Sequence, residues 1–322
     1  MKKPLCIVLW IYGEQYQGWI PVYVMALLKN YPEYDLRVYL DGKLRNDIDD
    51  VLNKICDRSK YVIIENFLGE YPYLITDMEK RAVRWLISDE ELKRYEYVYI
   101  GDADIYLIKE DVSLLDQHIS HMEKTKLLFS NEIRINLLDA IISYVFKRDN
   151  QFANYKKLTG LHFFKTEEYL NKVGVGQDYL KNKIKNGGSR CSNLEYCYLK
   201  RYVLTDDERV LYYLLKKSGF KLPKKSLWIH GESGKCFRPL HGPHFGTGRA
   251  SQAYKEFAKI IEKNRYSTEK DYKKDFVKFV QDYNSDYILR NIINSDKYVK
   301  RIVEKTAEFF DFCMTDEIIG EK

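Results

Sequence analysis

The sequence predicts an α/β protein, with a mixed, mostly parallel central sheet flanked by helices and a C-terminal helical extension. Three observations predict it. Residues 5–12, Leu-Cys-Ile-Val-Leu-Trp-Ile-Tyr, are apolar without alternation, as suits a strand buried on both faces. The order strand, loop, helix, strand over residues 5–40 argues for a right-handed parallel crossover. Residues 252–312 carry only helix-period patterns, such as Phe276, Phe279, Val280 and Tyr283. The chain therefore divides into an α/β unit over residues 1–250 and a helical unit over 251–322.

The elements follow in order. Gly13-Glu14-Gln15-Tyr16-Gln17-Gly18 forms a loop, and a helix is expected over 21–29 with Pro21 in its first turn. Residues 36–40 make the second strand, stopped by Asp41-Gly42; 44–58 make a polar helix and 61–65 a third strand. Residues 77–87 are helical and carry Arg81 and Arg84, and 89–94 lead into the next strand. That strand climbs through Tyr97-Val98-Tyr99-Ile100 to Gly101, delivers Asp102 and Asp104, and resumes as a short strand, Ile105-Tyr106-Leu107-Ile108. In extended backbone, residues i and i+2 point the same way. Both carboxylates can then face one small volume at the carboxyl end of a strand, where open α/β sheets bind ligands. Carboxylates held that close repel unless a cation sits between them. A hard divalent ion shared with phosphate oxygens resolves the conflict.

Downstream, 127–130 and 156–164 read as strands, the second with Gly160 permitting close backbone approach. A helix is expected over 137–146, and a loop at Asn186-Gly187-Gly188-Ser189. Thr205 starts another helix as N-cap, with Glu208 completing a capping box. A glycine- and histidine-rich loop over 238–249 closes the α/β unit.

With 45% hydrophobic and 31% charged residues, the 322-residue chain belongs to the soluble globular class. No run approaches eighteen apolar residues, so no membrane span is expected. The basic start, Met1-Lys2-Lys3-Pro4, precedes an apolar run too short for a signal peptide, and reads as the approach to a strand. Cys6, Cys56, Cys191, Cys197, Cys236 and Cys313 form no CxxC pair and read as scattered reduced thiols. The net charge of +6 is uneven. Residues 1–146 hold 18 basic and 24 acidic side chains, whereas 147–250 hold 21 and 9. An anionic partner for the middle block is one reading; a solvated basic face is the other.

In this order, the residues resemble metal-dependent glycosyltransferases of the GT-A (Rossmann-like) fold, most like glycosyltransferase family 8. The family pattern has a nucleotide-binding strand, an arginine helix, a hydrophobic strand ending in Asp-x-Asp, a glycine-containing strand, an acidic helix start and a late histidine loop. Here these are similar to residues 5–12, Lys80-Arg81-Ala82-Val83-Arg84-Trp85-Leu86, 98–104, 159–164, 206–208 and 241–249. A lone Asp-x-Asp arises by chance in most proteins of this size; six elements in family order are more specific.

The resemblance implies a hexosyltransferase that takes sugar from a nucleotide-diphosphate donor, a UDP-sugar, to a glycan or lipid-linked acceptor in bacterial surface polysaccharide or lipopolysaccharide synthesis. It implies Mn²⁺ or Mg²⁺ between the aspartates and the diphosphate. Asp104 would be the firmest ligand, and Asp102 would share the metal or touch the ribose. His244 would be the third ligand, with His241 as the alternative. Here the chain departs from the family's His-x-x-Gly-x-x-Lys: it has His244-Phe245-Gly246-Thr247-Gly248-Arg249, with the glycine one place early and arginine as the base. Arg249 is implied as a diphosphate clamp and Arg84 as the arginine approaching the donor. Tyr12 and Tyr16 fall where the family binds base and ribose, or are ordinary core or rim aromatics. Asp207, ahead of Asp206, would lie near the anomeric carbon, the alternative being that the acidic run only caps its helix. His162 is expected in the core, the alternative being a place lining the acceptor site. The implied location is cytoplasmic, with peripheral contact at the inner face of the cell membrane. A sugar nucleotidyltransferase is the second enzyme reading, although residues 13–18 lack the Arg and Lys such a loop wants. A basic RNA- or lipid-surface-binding protein is the non-enzyme reading; no nucleic-acid motif is present, and no nucleic acid is expected.

Overall fold

β1 (Lys3–Ile11) is the axis of a six-stranded sheet. It pairs in parallel with β2 (Asp35–Leu40) on one side and β4 (Tyr95–Gly101) on the other, in the registers Cys6↔Asp35 and Leu9↔Gly101. β3 (Tyr61–Ile64) extends the sheet in parallel beyond β2. β8 (His162–Lys165) runs antiparallel to β4, and β5 (Phe129–Ser130) antiparallel to β8, giving the order β3-β2-β1-β4-β8-β5. The sheet is thus mixed and mostly parallel, as the sequence predicts. The coordinates are those of a computed structural model and describe residues 2–55, 58–72, 74, 77–135, 156–185, 207–223, 241–246 and 269–309.

The unbroken apolar run of β1 has a direct cause. Its odd residues Leu5, Ile7, Leu9 and Ile11 enter one core with Trp19, Tyr23 and Leu27 of α1 (Trp19–Asn30). Its even residues Cys6 and Val8 enter a second core on the opposite face with Val83, Trp85 and Leu86. Alternation along a strand points successive side chains to opposite faces, so a strand covered on both sides must be apolar throughout. Burial pushes the Cys6 thiol well above its ordinary range; the other five cysteines lie outside the described residues.

α2 (Asn46–Ile55) packs against α1. α3 (Asp77–Ala82), α4 (Leu114–Thr125), α5 (Thr166–Lys185) and α6 (Asp207–Lys217) complete the described α/β elements on the two faces. The late helices α7 (Glu269–Ser285), α8 (Tyr287–Ser295) and α9 (Lys297–Phe309) bury Phe276, Phe279, Leu289, Ile293, Val299 and Val303 in the same core as α1. Asp296 ties them to the segment after β2. Its Oδ1 accepts the Tyr298 and Val299 amides at 2.9 and 3.0 Å, capping α9, and its Oδ2 lies 3.1 Å from Arg45 Nη1. Gly18 makes room for it, since a Cβ there would fall 2.4 Å from Asp296 Oδ2. Asp296→Ala should therefore lower unfolding stability by about 2 kcal/mol, the upper end for a lost N-cap, as read by urea denaturation.

The described structure departs from the sequence reading in three places. Residues 156–164 are not one strand. β7 (Lys156–Leu158) pairs with β6 (Ile133–Ile135) in a separate two-stranded sheet, and β8 begins at His162. Asn131 holds the break open: Nδ2 donates to the carbonyls of Thr159 and Leu161 at 3.1 and 3.0 Å, and Oδ1 accepts the Thr159 amide at 2.9 Å. Residues 77–87 are not one helix either; α3 gives way to a 3-10 turn over Val83–Leu86. The apolar run after Asp104 forms no strand of the main sheet. It makes a single antiparallel bridge, Ile105↔His244, with the late histidine loop. The helix expected over 137–146, the loop at 186–189 and the Thr205 cap lie outside the described residues. No helix among the described residues is long and apolar enough to cross a membrane.

Candidate active site

The site collects where β4 ends. Gly101 closes the strand beside Leu9, and the chain turns at once, with the Ile105 amide donating to the Asp102 carbonyl at 3.3 Å. The turn sends the two aspartates to different partners. Asp102 Oδ1 accepts from Arg84 Nη1 at 2.7 Å, whereas Asp104 Oδ1 lies 3.2 Å from His244 Nε2. Asp104 is buried, and Asp102 keeps about a third of its side chain exposed, 32%.

Arg84 is the junction. It is buried on the 3-10 turn after α3, and its second nitrogen, Nη2, pairs with Asp207 Oδ2 on the first turn of α6. Burial works against its charge, but Asp207 and Asp102 outweigh that and raise its pKa further above the ordinary arginine range. Trp85 reinforces the junction: its indole N–H donates to the Asp207 carbonyl at 2.8 Å, and its ring lies 4.5 Å from the Arg84 guanidinium carbon. Asp102 is pushed above the usual carboxylate range, by burial first, then by Asp104 and Asp207, against the opposing pull of Arg84 and His244.

Gly160 carries out the close approach its sequence position suggests. A Cβ there would fall 2.7 Å from Arg84 Nη2, and its amide donates to Glu208 Oε1 at 3.2 Å. The guanidinium, fixed by two carboxylates, has little freedom to yield. Gly160→Ala should displace Arg84 and cost about 1–2 kcal/mol through overpacking; a thermal melt beside a donor-hydrolysis assay checks it, with activity expected to fall further than stability. His162 is a core histidine. It is fully buried against Phe129, Phe164 and Tyr169, and its pKa is pushed down to about 3 by burial first and the Arg84 charge second.

The two histidines of the late loop part ways. His244 stands beside Asp104. His241 is fully buried and turned aside, its Nδ1 2.6 Å from Glu110 Oε2 and its Nε2 3.0 Å from His118 Nε2. Tyr12 follows β1 directly. Its hydroxyl donates to Asp77 Oδ1 at 2.6 Å, and this bond raises the phenol to about 12. Tyr16 packs its ring against Tyr298 of α9, with centroids 5.8 Å apart. Asp206 and Arg249 lie outside the described residues.

Among the described residues, no three His, Cys, Asp or Glu side chains converge to hold a metal ion. The reason is visible at Asp102, whose Oδ1 serves Arg84. Asp104 and His244 supply one carboxylate oxygen and one imidazole nitrogen side by side, a donor pair of the kind Mn²⁺ accepts. Sequence reasoning missed Asn131, Trp85 and the bond from Gly160 to Glu208. Each works on a partner distant in the chain, and none carries a local motif.

No family model matches the chain, and no curated protein matches it in sequence. Among solved structures it is similar to the galactosyltransferase LgtC in complex with donor and acceptor sugar analogues, at 10% identity over 65% of this chain and 70% of that one, TM-score 0.40. It is similar to the mannosyltransferase Ktr4p from S. cerevisiae in complex with GDP, at 11% identity over 66% of each chain, TM-score 0.39. It is also similar to the glycosyltransferase GlyE of Streptococcus pneumoniae TIGR4, at 9% identity over 98% of this chain and 66% of that one, TM-score 0.41. Likeness at this level defines neither a family nor an activity.

Proposed function

We propose that the chain is a metal-dependent glycosyltransferase that moves a sugar from a nucleotide-diphosphate donor, a UDP-sugar, to a glycan or lipid-linked acceptor. One observation carries the reading. At the carboxyl end of β4 a single turn presents Asp104 beside His244, and Asp102 in a chain of charge through Arg84 to Asp207. Isolated carboxylates are rarely buried together without a compensating role, and groups perturbed this way cluster at functional sites.

In this reading Asp104 and His244 would hold Mn²⁺ or Mg²⁺. The bound ion supplies charge neutralisation for the departing nucleoside diphosphate. The chain's own groups do the rest. Arg84 fixes the Asp207 carboxylate, which suits it to orient sugar hydroxyls or to stabilise oxocarbenium-like charge at the anomeric carbon. Asp102, less buried than Asp104, would touch the donor's ribose or share the ion. Tyr12, anchored by Asp77 at the end of β1, borders the nucleotide. Arg249, five residues after His244 in the sequence, would clamp the diphosphate, a role that suits a guanidinium.

A screen of nucleotide-sugars with Mn²⁺, scoring donor hydrolysis and protection against thermal unfolding, tests the proposal. A positive result is metal-dependent hydrolysis or protection by at least one nucleotide-sugar. The reading fails if no nucleotide-sugar binds with or without metal.

A further inference from the structure

Four polar side chains outside the aspartate turn form one buried chain with Glu110. His121 Nδ1 lies 2.9 Å from Ser130 Oγ, which lies 2.8 Å from His118 Nδ1. His118 Nε2 meets His241 Nε2 at 3.0 Å, and His241 Nδ1 meets Glu110 Oε2 at 2.6 Å. Gln117 Nε2 also donates to Glu110 Oε2, at 3.0 Å. The chain lies directly beneath the end of β4: the His118 ring stacks on Phe163 at 4.5 Å, and Tyr99 packs against both His118 and His241. Burial holds the His118 and His121 imidazoles well toward their neutral forms.

The direction of each contact follows the tautomers of the three histidines, and every contact joins a ring nitrogen to an oxygen or to a second ring nitrogen. His241 is therefore held at both ring nitrogens.

The backbone of the same residue governs the loop. His241 has φ +53°, a left-handed conformation in which histidine is over-represented among non-glycine residues. Gly242 follows at φ +154°, and a Cβ there would fall 1.9 Å from the Tyr106 carbonyl oxygen. From this start the chain lies antiparallel over the aspartate turn. The Ile108 amide donates to the His241 carbonyl at 3.0 Å, the Tyr106 amide to the Pro243 carbonyl at 3.1 Å, and the Phe245 amide to the Asp104 carbonyl at 2.8 Å. His244 sits within that pairing, opposite Ile105.

We propose that His241 is a positioning residue: held by Glu110 and His118, it locks residues 241–245 over 104–108 and so keeps His244 against Asp104. Its importance for metal binding rests on the glycosyltransferase reading; its role as a lock does not. A metal ligand's orientation depends on the hydrogen bonds behind it, and losing such a partner typically weakens metal affinity about 10–100-fold. Here the support acts through the loop rather than through the ligand's own ring.

Two measurements on the full chain test this. Amide hydrogen exchange is compared in wild type, His241→Asn, Glu110→Ala and Glu110→Gln, and Mn²⁺ affinity is measured in the presence of UDP. Asparagine tolerates the left-handed backbone but cannot span from Glu110 to His118, while glutamine at 110 keeps an acceptor for Nδ1–H. The expected result is loss of protection at Tyr106, Ile108 and Phe245 in His241→Asn and Glu110→Ala, with β1 amides unchanged. Mn²⁺ affinity should fall about tenfold in both, by the same precedent, and Glu110→Gln should stay close to wild type. Should His241→Asn fail to fold, Glu110→Ala carries the same prediction. Unchanged protection at Phe245 overturns the lock, and lost protection with unchanged Mn²⁺ affinity overturns the positioning of His244. If wild type binds no Mn²⁺, the Mn²⁺ site at Asp104 and His244 fails, and the exchange pattern alone decides the lock.

Discussion

Asp104→Asn should lower kcat/KM by about 10²–10³-fold, the typical loss when one aimed electrostatic contact at a reacting centre is removed. The substitution keeps size and shape and removes only the charge. Asp104 is buried 3.2 Å from His244, and Oδ1 of its neighbour Asp102 is engaged by Arg84. The fold should survive, because the backbone role of Asp104, its carbonyl accepting from Phe245, does not use the side chain. Three readings taken together check the prediction: steady-state kinetics with the donor found by screening, Mn²⁺-dependent thermal protection, and the unfolding midpoint without metal. Activity and protection should be lost while the metal-free midpoint holds. Wild-type activity in the variant removes the metal from the mechanism.

How far the site could be read from the sequence depends on how local each contact is. β1 was legible because a strand covered on both faces must be apolar at every position, and that pattern fills the strand from Leu5 to Ile11 without a break. Asp102 and Asp104 were legible because they lie within three residues of a strand end. Arg84 was recognisable as an arginine on a short helix, but its bond to Asp207 joins residues 123 positions apart, and nothing near either one announces it. The strand expected over 156–164 misread Asn131, whose side chain captures the backbone of Thr159 and Leu161. An asparagine after a short strand looks like any turn residue. His241 and His244 were inseparable in sequence because both stand beside glycines in one loop. What separates them is a left-handed backbone at residue 241, which turns its imidazole into the core while the chain carries His244 toward Asp104. Tyr16 likewise met Tyr298, almost the whole chain away.

Arg84→Met should destabilise the protein by about 3 kcal/mol at neutral pH, the lower end for breaking a buried ion pair. The lower end is chosen because Asp102 and Asp207 keep partial access to water, with side-chain exposures of 32% and 22%. Methionine fills much of the same volume, so the loss measures charge rather than packing. The pH dependence distinguishes this cause from a simple cavity. Asp102 already lies above the ordinary carboxylate range in the folded state, where Arg84 is the strongest of the influences holding it down. A carboxyl raised on folding binds more protons folded than unfolded, so its contribution to stability is present at low pH and is lost as pH rises through its folded pKa. Removing Arg84 raises Asp102 further and widens that window. The deficit of Arg84→Met relative to wild type should therefore be largest near neutrality and shrink as pH falls toward the ordinary carboxylate range. Urea unfolding at a series of pH values reads it directly. A deficit independent of pH assigns the loss to packing around Trp85 and Gly160, and the charge chain from Asp102 through Arg84 to Asp207 would then have no energetic weight of its own.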